Sequence, residues 1–200
     1  MTFVLASNNQ GKLSEMTAIL SSCGISVISL AQAGIFQDVE ETGQTFYENA
    51  FLKANAAMKA TNQPAIADDS GLVVEALNGA PGVYSKRYGG AKNDDERNKL
   101  LLKNMNGVEH RGAKFVSSIV CAFPNGNTIA AEGVCEGEIL TAPRGGGGFG
   151  YDPVFLVRGL GRSMAELTPD EKNSISHRGQ AMRLFSDRLR NYLTKTGEKI

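Results

Sequence analysis

Residues 65–74 read Ala-Ile-Ala-Asp-Asp-Ser-Gly-Leu-Val-Val. Two apolar runs, Ala65 to Ala67 and Leu72 to Val74, suggest a strand broken at its centre by polar residues. Two adjacent carboxylates in such a place have to be solvated, paired or metal-bound, so Asp68-Asp69 reads as the acidic element of a cleft. Working upstream, Pro64 limits a helix that opens at Thr45-Phe46-Tyr47-Glu48, a capping-box pattern, with Phe46, Ala50, Ala54, Ala57 and Met58 on one face. Further back, Phe3 to Ala6 is a short apolar run closed by Ser7-Asn8-Asn9. Leu13, Met16, Leu20 and Cys23 then recur at helical spacing, and Val27 to Leu30 resembles a second strand.

Downstream, Asp94 to Met105 reads as a helix carrying Leu100, Leu101 and Leu102. Phe115 to Phe123 and Thr128 to Ile139 flank the turn Pro124-Asn125-Gly126-Asn127, which predicts an antiparallel hairpin. A glycine loop, Gly145 to Gly150, precedes a strand at Val154 to Val157. Thr168-Pro169-Asp170-Glu171 has the cap, the first-position proline and the third-position glutamate of a helix start, and the last helix turns Ala181, Met182, Phe185, Leu189 and Tyr192 inward. Strands alternating with helices, plus a hairpin, imply an α/β fold with a mixed, strongly twisted sheet. No repeat or linker divides the chain, so residues 1–200 form one expected domain.

Composition narrows the function. Twenty-one basic residues balance 21 acidic ones, so the long-range field that gathers nucleic acid or anionic membrane is missing. With 42% hydrophobic and 21% charged residues the chain has the mix of a soluble globular protein. Cys23, Cys121 and Cys135 form no C-x-x-C pair, and with only His110 and His177 they make no zinc pattern. These features, with no signal-peptide pattern at the N-terminus and no membrane-length apolar run, predict a cytoplasmic protein.

Four segments could carry chemistry. Ser7-Asn8-Asn9-Gln10-Gly11-Lys12 hands a strand over to a helix N-terminus, where backbone N–H groups and the helix dipole attract phosphate. It is not a Walker A loop, because Ala6 stands at the first glycine and Leu13 at the Ser or Thr. Glu40-Glu41 supplies a second acidic pair, and carboxylates from separate segments suit Mg²⁺ that also holds phosphates. Gly145 to Gly150 satisfies G-x-G-x-x-G but leads into Tyr151-Asp152-Pro153 and a strand, which excludes a dinucleotide fold; Phe149 instead offers a flat face for a base. Lys172, His177 and Arg178 gather donors for phosphate and carbonyl oxygens. Taken singly, each segment also fits an ordinary turn, flexible loop or solvated helix start.

Taken together they resemble the inosine triphosphate pyrophosphatases, the non-standard purine nucleoside triphosphate pyrophosphatases. The resemblance rests on an ordered series: Ser-Asn-Asn-Gln-Gly-Lys (7–12), Glu-Glu-Thr-Gly-Gln-Thr-Phe-Tyr-Glu-Asn-Ala (40–50), Ala-Asp-Asp-Ser-Gly-Leu (67–72), Gly-Ala-Pro-Gly-Val-Tyr-Ser (79–85), Gly-Gly-Phe-Gly-Tyr-Asp-Pro (147–153) and Ser-His-Arg-Gly (176–179). It implies an elongated α/β protein with two lobes around a central nucleotide cleft, usually a homodimer. The implied reaction takes ITP, dITP or XTP to the monophosphate and pyrophosphate with Mg²⁺. By the same resemblance Ser7, Asn8, Asn9, Gln10, Gly11 and Lys12 hold phosphates, Asp69 is general base and metal ligand, and Glu40 is the second ligand, with Glu41 its rival. Ser70, Phe149, Gly150, Tyr151, Asp152, Lys172, His177 and Arg178 contact the nucleotide. Two positions depart from the family pattern: Asn8 stands where glycine is common, and Gly146 where Thr is frequent. A Maf-like pyrophosphatase of other base specificity, or a non-enzymatic nucleotide-binding module, are the alternatives.

Overall fold

The computed structural model describes residues 2–7, 10–22, 24–36 and 39–197. Among these residues six strands form one mixed sheet in the order β2-β1-β3-β4-β5-β6: β1 (Thr2–Leu5), β2 (Ser26–Ser29), β3 (Ala65–Val74), β4 (Gly112–Ala122), β5 (Thr128–Ile139) and β6 (Phe155–Val157). The helices are α1 (Gln10–Ser22), α2 (Phe46–Thr61), α3 (Asp94–Asn104), α4 (Pro169–Ile175) and α5 (His177–Thr196). β1 runs parallel to β2 and β3, and β6 antiparallel to β5. Parallel neighbours need a crossover, which α1 supplies between β1 and β2. The α/β class with a mixed sheet is as the sequence predicts.

The chain divides into two compact units. Unit 1 holds residues 1–69, 117–133 and 181–200; unit 2 holds 70–116 and 134–180. In unit 1 the two-residue period of the strands sorts side chains onto two faces. Phe3 and Leu5, Ile66, and Ile119, Cys121 and Phe123 join Met16 and Leu20 of α1 and Met182, Phe185 and Leu189 of α5. Val4, Ala65 and Ala67, and Val120 and Ala122 face the other way, onto Ala50, Ala54 and Ala57 of α2. Strand β4 is buried nearly throughout because it is covered on both sides, whereas β5 alternates buried and exposed positions. The hairpin turn between them is pinned by Tyr192, whose hydroxyl accepts from the side-chain amides of Asn125 and Asn127, each at 3.0 Å. Cys23 lies outside the described residues.

Unit 2 has its own core, in which Leu72 and Val74, Phe115, Ile139, Phe155 and Val157 meet Leu101 of α3 and Met105, which caps its C-terminus. Of the three successive leucines on α3, Leu101 is fully buried and its neighbours half-buried. Both predicted caps form: Thr45 Oγ1 accepts from the Glu48 N–H at 3.1 Å, and Thr168 Oγ1 from the Glu171 N–H at 3.3 Å, each glutamate reaching back to its cap.

Two expectations are corrected. Asp68-Asp69-Ser70-Gly71 does not break the strand: β3 is extended without interruption from Ala65 to Val74, and Lys12, Asn49 and Lys53 meet its carboxylates in place. Nor are His177 and Arg178 a solvated helix start, for both are buried. Ser176, extended at φ −64° and ψ 153°, donates its N–H to the Lys172 carbonyl and accepts at Oγ from the Gly179 N–H at 3.1 Å. It thus ends α4 and caps α5, so that His177 and Arg178 form the first turn of a new helix.

Candidate functional site

Alternation along β3 sends neighbouring carboxylates to opposite faces. Asp68 shares the parity of Ile66 and meets Lys12, the third residue of α1, with Nζ to Oδ2 at 2.7 Å; the Asp68 side chain is 1% exposed. Asp69 shares the parity of Ala67 and faces α2, where Asn49 and Lys53 stand one turn apart. Asn49 is fully buried. Its Nδ2 donates to Asp69 Oδ2 at 3.1 Å and its Oδ1 accepts from the Gly43 N–H at 2.8 Å. A Cβ on Gly43 would meet Asn49 Oδ1 at 2.7 Å, so the acidic loop reaches this amide only as glycine. Lys53 Nζ lies 2.8 Å from Glu41 Oε1 and 3.6 Å from Asp69 Oδ1. Glu40, by contrast, is exposed.

Among the described residues two lysines, Lys12 and Lys53, work against three carboxylates, Glu41, Asp68 and Asp69, a formal charge of minus one with all five ionised. Burial raises the Asp69 pKa above its ordinary value and Glu41 pushes the same way; Lys53, the Asn49 amide and Lys12 pull it down without cancelling the rise. For Lys53 burial acts downward, but Asp69, Asp68 and Glu41 outweigh it and raise the pKa. Among the described residues no three His, Cys, Asp or Glu side chains converge as a ready metal centre. Oxygen donors with a net negative charge nevertheless fit Mg²⁺, which takes one or two carboxylates and completes its shell with water and substrate phosphate.

In unit 2 a second group forms around Phe149, which is 53% exposed. Lys172 Nζ lies 4.5 Å and Arg178 Cζ 5.5 Å from its ring centroid. Asp152, buried, accepts from Lys172 Nζ at 2.5 Å and from the Phe149 N–H at 2.9 Å through the same oxygen. Arg178 is 5% exposed, and its Nη2 donates to Ser70 Oγ at 3.4 Å. His177 is buried and stacks on Phe115 with centroids 4.8 Å apart. Both residues open α5 inside the protein rather than as a solvated helix start. The Tyr151 ring belongs to the unit 2 core; its hydroxyl donates to the Ser85 carbonyl at 2.8 Å, and burial raises its pKa.

Of the predicted phosphate loop, Ser7 follows β1, Gln10 and Gly11 open α1, and Lys12 pairs with Asp68. Asn8, Asn9 and the Gln10 side chain lie outside the described residues. Asn49 and Lys53 are absent from the residues singled out by sequence. The available signal was Asn49 itself, a polar residue within the apolar stripe Phe46, Ala50, Ala54.

A lysine–carboxylate cluster beside a strand, with an exposed aromatic ring and buried cations elsewhere in the same α/β chain, suits a protein that handles phosphorylated ligands. Comparison with known proteins makes the assignment specific: the chain belongs to the Ham1 family, matched over residues 3–188. It is 50% identical over 186 residues to a dITP/XTP pyrophosphatase of Desulforamulus reducens, covering 92% of each chain. It is 47% identical over 189 residues to one of Bacillus subtilis, covering 93% of this chain and 96% of that one. The Ham1 protein of Staphylococcus aureus superposes with a TM-score of 0.90 at 44% identity, over 96% of this chain and all of that one. The resemblance to the inosine triphosphate pyrophosphatases is thereby borne out.

Proposed function

We infer that this chain hydrolyses noncanonical purine nucleoside triphosphates, ITP, dITP and XTP, to the monophosphate and pyrophosphate, removing deaminated purines from the nucleotide pool. The observation that carries the reading is Asp69: a buried carboxylate with a raised pKa, oriented by the Asn49 amide and flanked by Lys53. Such a group is fixed in direction and basic enough to take a proton from water. Water adds to a phosphorus of the triphosphate, its proton passes to Asp69, and the bond to the leaving pyrophosphate breaks. Charge gathers on the departing oxygens; Lys12 and the N-terminus of α1 offset it. Asp69, with an acidic partner from Glu40-Glu41, would hold Mg²⁺, which would further neutralise the phosphates. Within that pair the Lys53 contact favours Glu41.

Recognition of the base falls to unit 2. The ring stacks on Phe149, and Arg178, with His177 beside it in the first turn of α5, presents donors to the 6-keto oxygen of hypoxanthine or xanthine. Adenine offers a donor there instead, and donors facing a donor make ATP a poor substrate. We further propose one domain over residues 1–200 acting as a homodimer in the cytoplasm, where the nucleotide pool lies; light scattering tests the dimer. No described helix is long and apolar enough to cross a membrane. The deciding experiment measures pyrophosphate release from ITP, XTP, dITP, GTP, ATP, CTP and UTP with Mg²⁺. ITP, XTP and dITP should lead. Orthophosphate and a diphosphate as first products, or equal turnover of ATP and ITP, would overturn the reading.

A further inference from the structure

The loop that displays Phe149 is glycine-rich, yet every backbone polar group of Phe149 and Gly150 is bonded. The Phe149 N–H donates to Asp152 Oδ2 at 2.9 Å and its carbonyl accepts from the Asp152 N–H at 3.3 Å. The Gly150 N–H donates to Asp94 Oδ2 at 2.6 Å, and the Gly150 carbonyl accepts from Asn98 Nδ2 at 3.0 Å. Asp94 and Asn98 are four residues apart and so lie on one face of α3, gripping a single residue by both its polar groups. Gly150 sits at φ +62°, a left-handed conformation that L side chains rarely adopt. The grip is anchored in turn: the other oxygen of Asp94 pairs with Arg97, Arg97 Nη1 donates to the Lys86 carbonyl at 2.9 Å, and Leu101 of the same helix is fully buried.

An exposed aromatic ring on a backbone with no free polar group is a platform set before any ligand arrives, and preorganisation of this kind lowers the ordering cost of binding. We propose that Asp94 and Asn98 are positioning residues for the purine base, acting through the Phe149-Gly150 backbone without touching the nucleotide. The proposal rests on Phe149 being the face on which the base stacks.

The test is a double-substitution cycle on the full chain, with KM and kcat for ITP and melting temperature measured for each variant. Asp94 is 42% exposed at its side chain, so Asp94→Ala is the variant least prone to misfold; Asn98→Ala is the second. Each should raise KM for ITP about tenfold, the scale of a lost base–aromatic stack, with kcat changed less than about twofold. Asp94→Asn retains an acceptor oxygen for the Gly150 N–H and should restore KM. In a Phe149→Ala background neither alanine substitution should add a further loss. A merely structural α3 role predicts the opposite pattern: lower melting temperature, no KM-against-kcat split and the same loss in both backgrounds. That result overturns the proposal. If Phe149→Ala raises KM while Asp94→Ala and Asn98→Ala do not, stacking stands and the clamp is refuted. If Phe149→Ala leaves KM unchanged, the stacking reading fails and the clamp with it.

Discussion

Asp68 and Asp69 are chemically identical neighbours that the strand pleat assigns to different partners. Asp68 neutralises Lys12 at a position with almost no solvent, whereas Asp69 is held by Asn49 and shares Lys53 with Glu41. Asp69→Asn should cut turnover by at least ~10²-fold, the lower range for loss of a general base, and Asp68→Asn should cost less. The raised Asp69 pKa fixes two signs. Activity that needs the ionised carboxylate is lost as pH falls through the raised value, so the parent's kcat/KM should decline on the acid side; a profile with no acid limb removes Asp69 from the base role. For stability the sign reverses, because a raised folded-state pKa contributes stability that is present at low pH and lost as pH rises through it. Asp69→Asn should therefore melt no lower than the parent at neutral pH, which separates lost chemistry from lost folding. Arg178→Ala should lower kcat/KM for ITP far more than for ATP, narrowing their ratio roughly tenfold, the range of one good bidentate contact. Equal losses on both substrates would make Arg178 a phosphate or structural residue.

Helix and strand ends were the most legible features, because caps are local chemistry. Thr45 with Glu48 and Thr168 with Glu171 each satisfy orphan N–H groups within one turn, and both form. The Pro124–Asn127 turn was equally local. Less legible was anything decided by a distant partner. Nothing near residues 68 and 69 reveals that Lys12, Asn49 and Lys53 wait to satisfy an unbroken β3, and nothing in Asn-Ser-Ile-Ser-His announces that Ser176 ends one helix and starts the next. The paired acidic segments and the Phe149 loop were visible as motifs, but their support was not: Asn49 interrupts an apolar stripe without naming its partner, and Lys53, Asp94 and Asn98 look like ordinary helix polars in one dimension. Strand β5 offers a test of a tertiary constraint of this kind. Gly137 pairs with Val157 of β6, and a Cβ there would overlap the Leu156 carbonyl oxygen and come within 2.6 Å of the Phe155 ring. Gly137→Ala should destabilise the protein by about 1–3 kcal/mol through overpacking, read from denaturant unfolding, although its φ is not in the left-handed range.

At the scale of the molecule, the unit boundaries fall within β3, β4, β5 and α5, so the chain passes from one unit to the other four times, each time inside a hydrogen-bonded element. Neither unit is a contiguous stretch of sequence. Calorimetry should accordingly show one unfolding transition rather than two, and a peptide of residues 70–116 alone should remain unfolded; two resolved transitions would mean that the units melt independently. The side chains assigned to hydrolysis, Lys12, Glu41, Asn49, Lys53 and Asp69, all belong to unit 1, while Phe149, Lys172 and Arg178 belong to unit 2. This interleaving limits how the protein can change over generations. A recombination event that exchanges one continuous gene segment cannot transplant a whole unit, because each unit is assembled from separate stretches of chain. A unit can be exchanged only as several stretches at once, so lineages of this fold should diversify by substitution within each stretch rather than by the swapping of whole units.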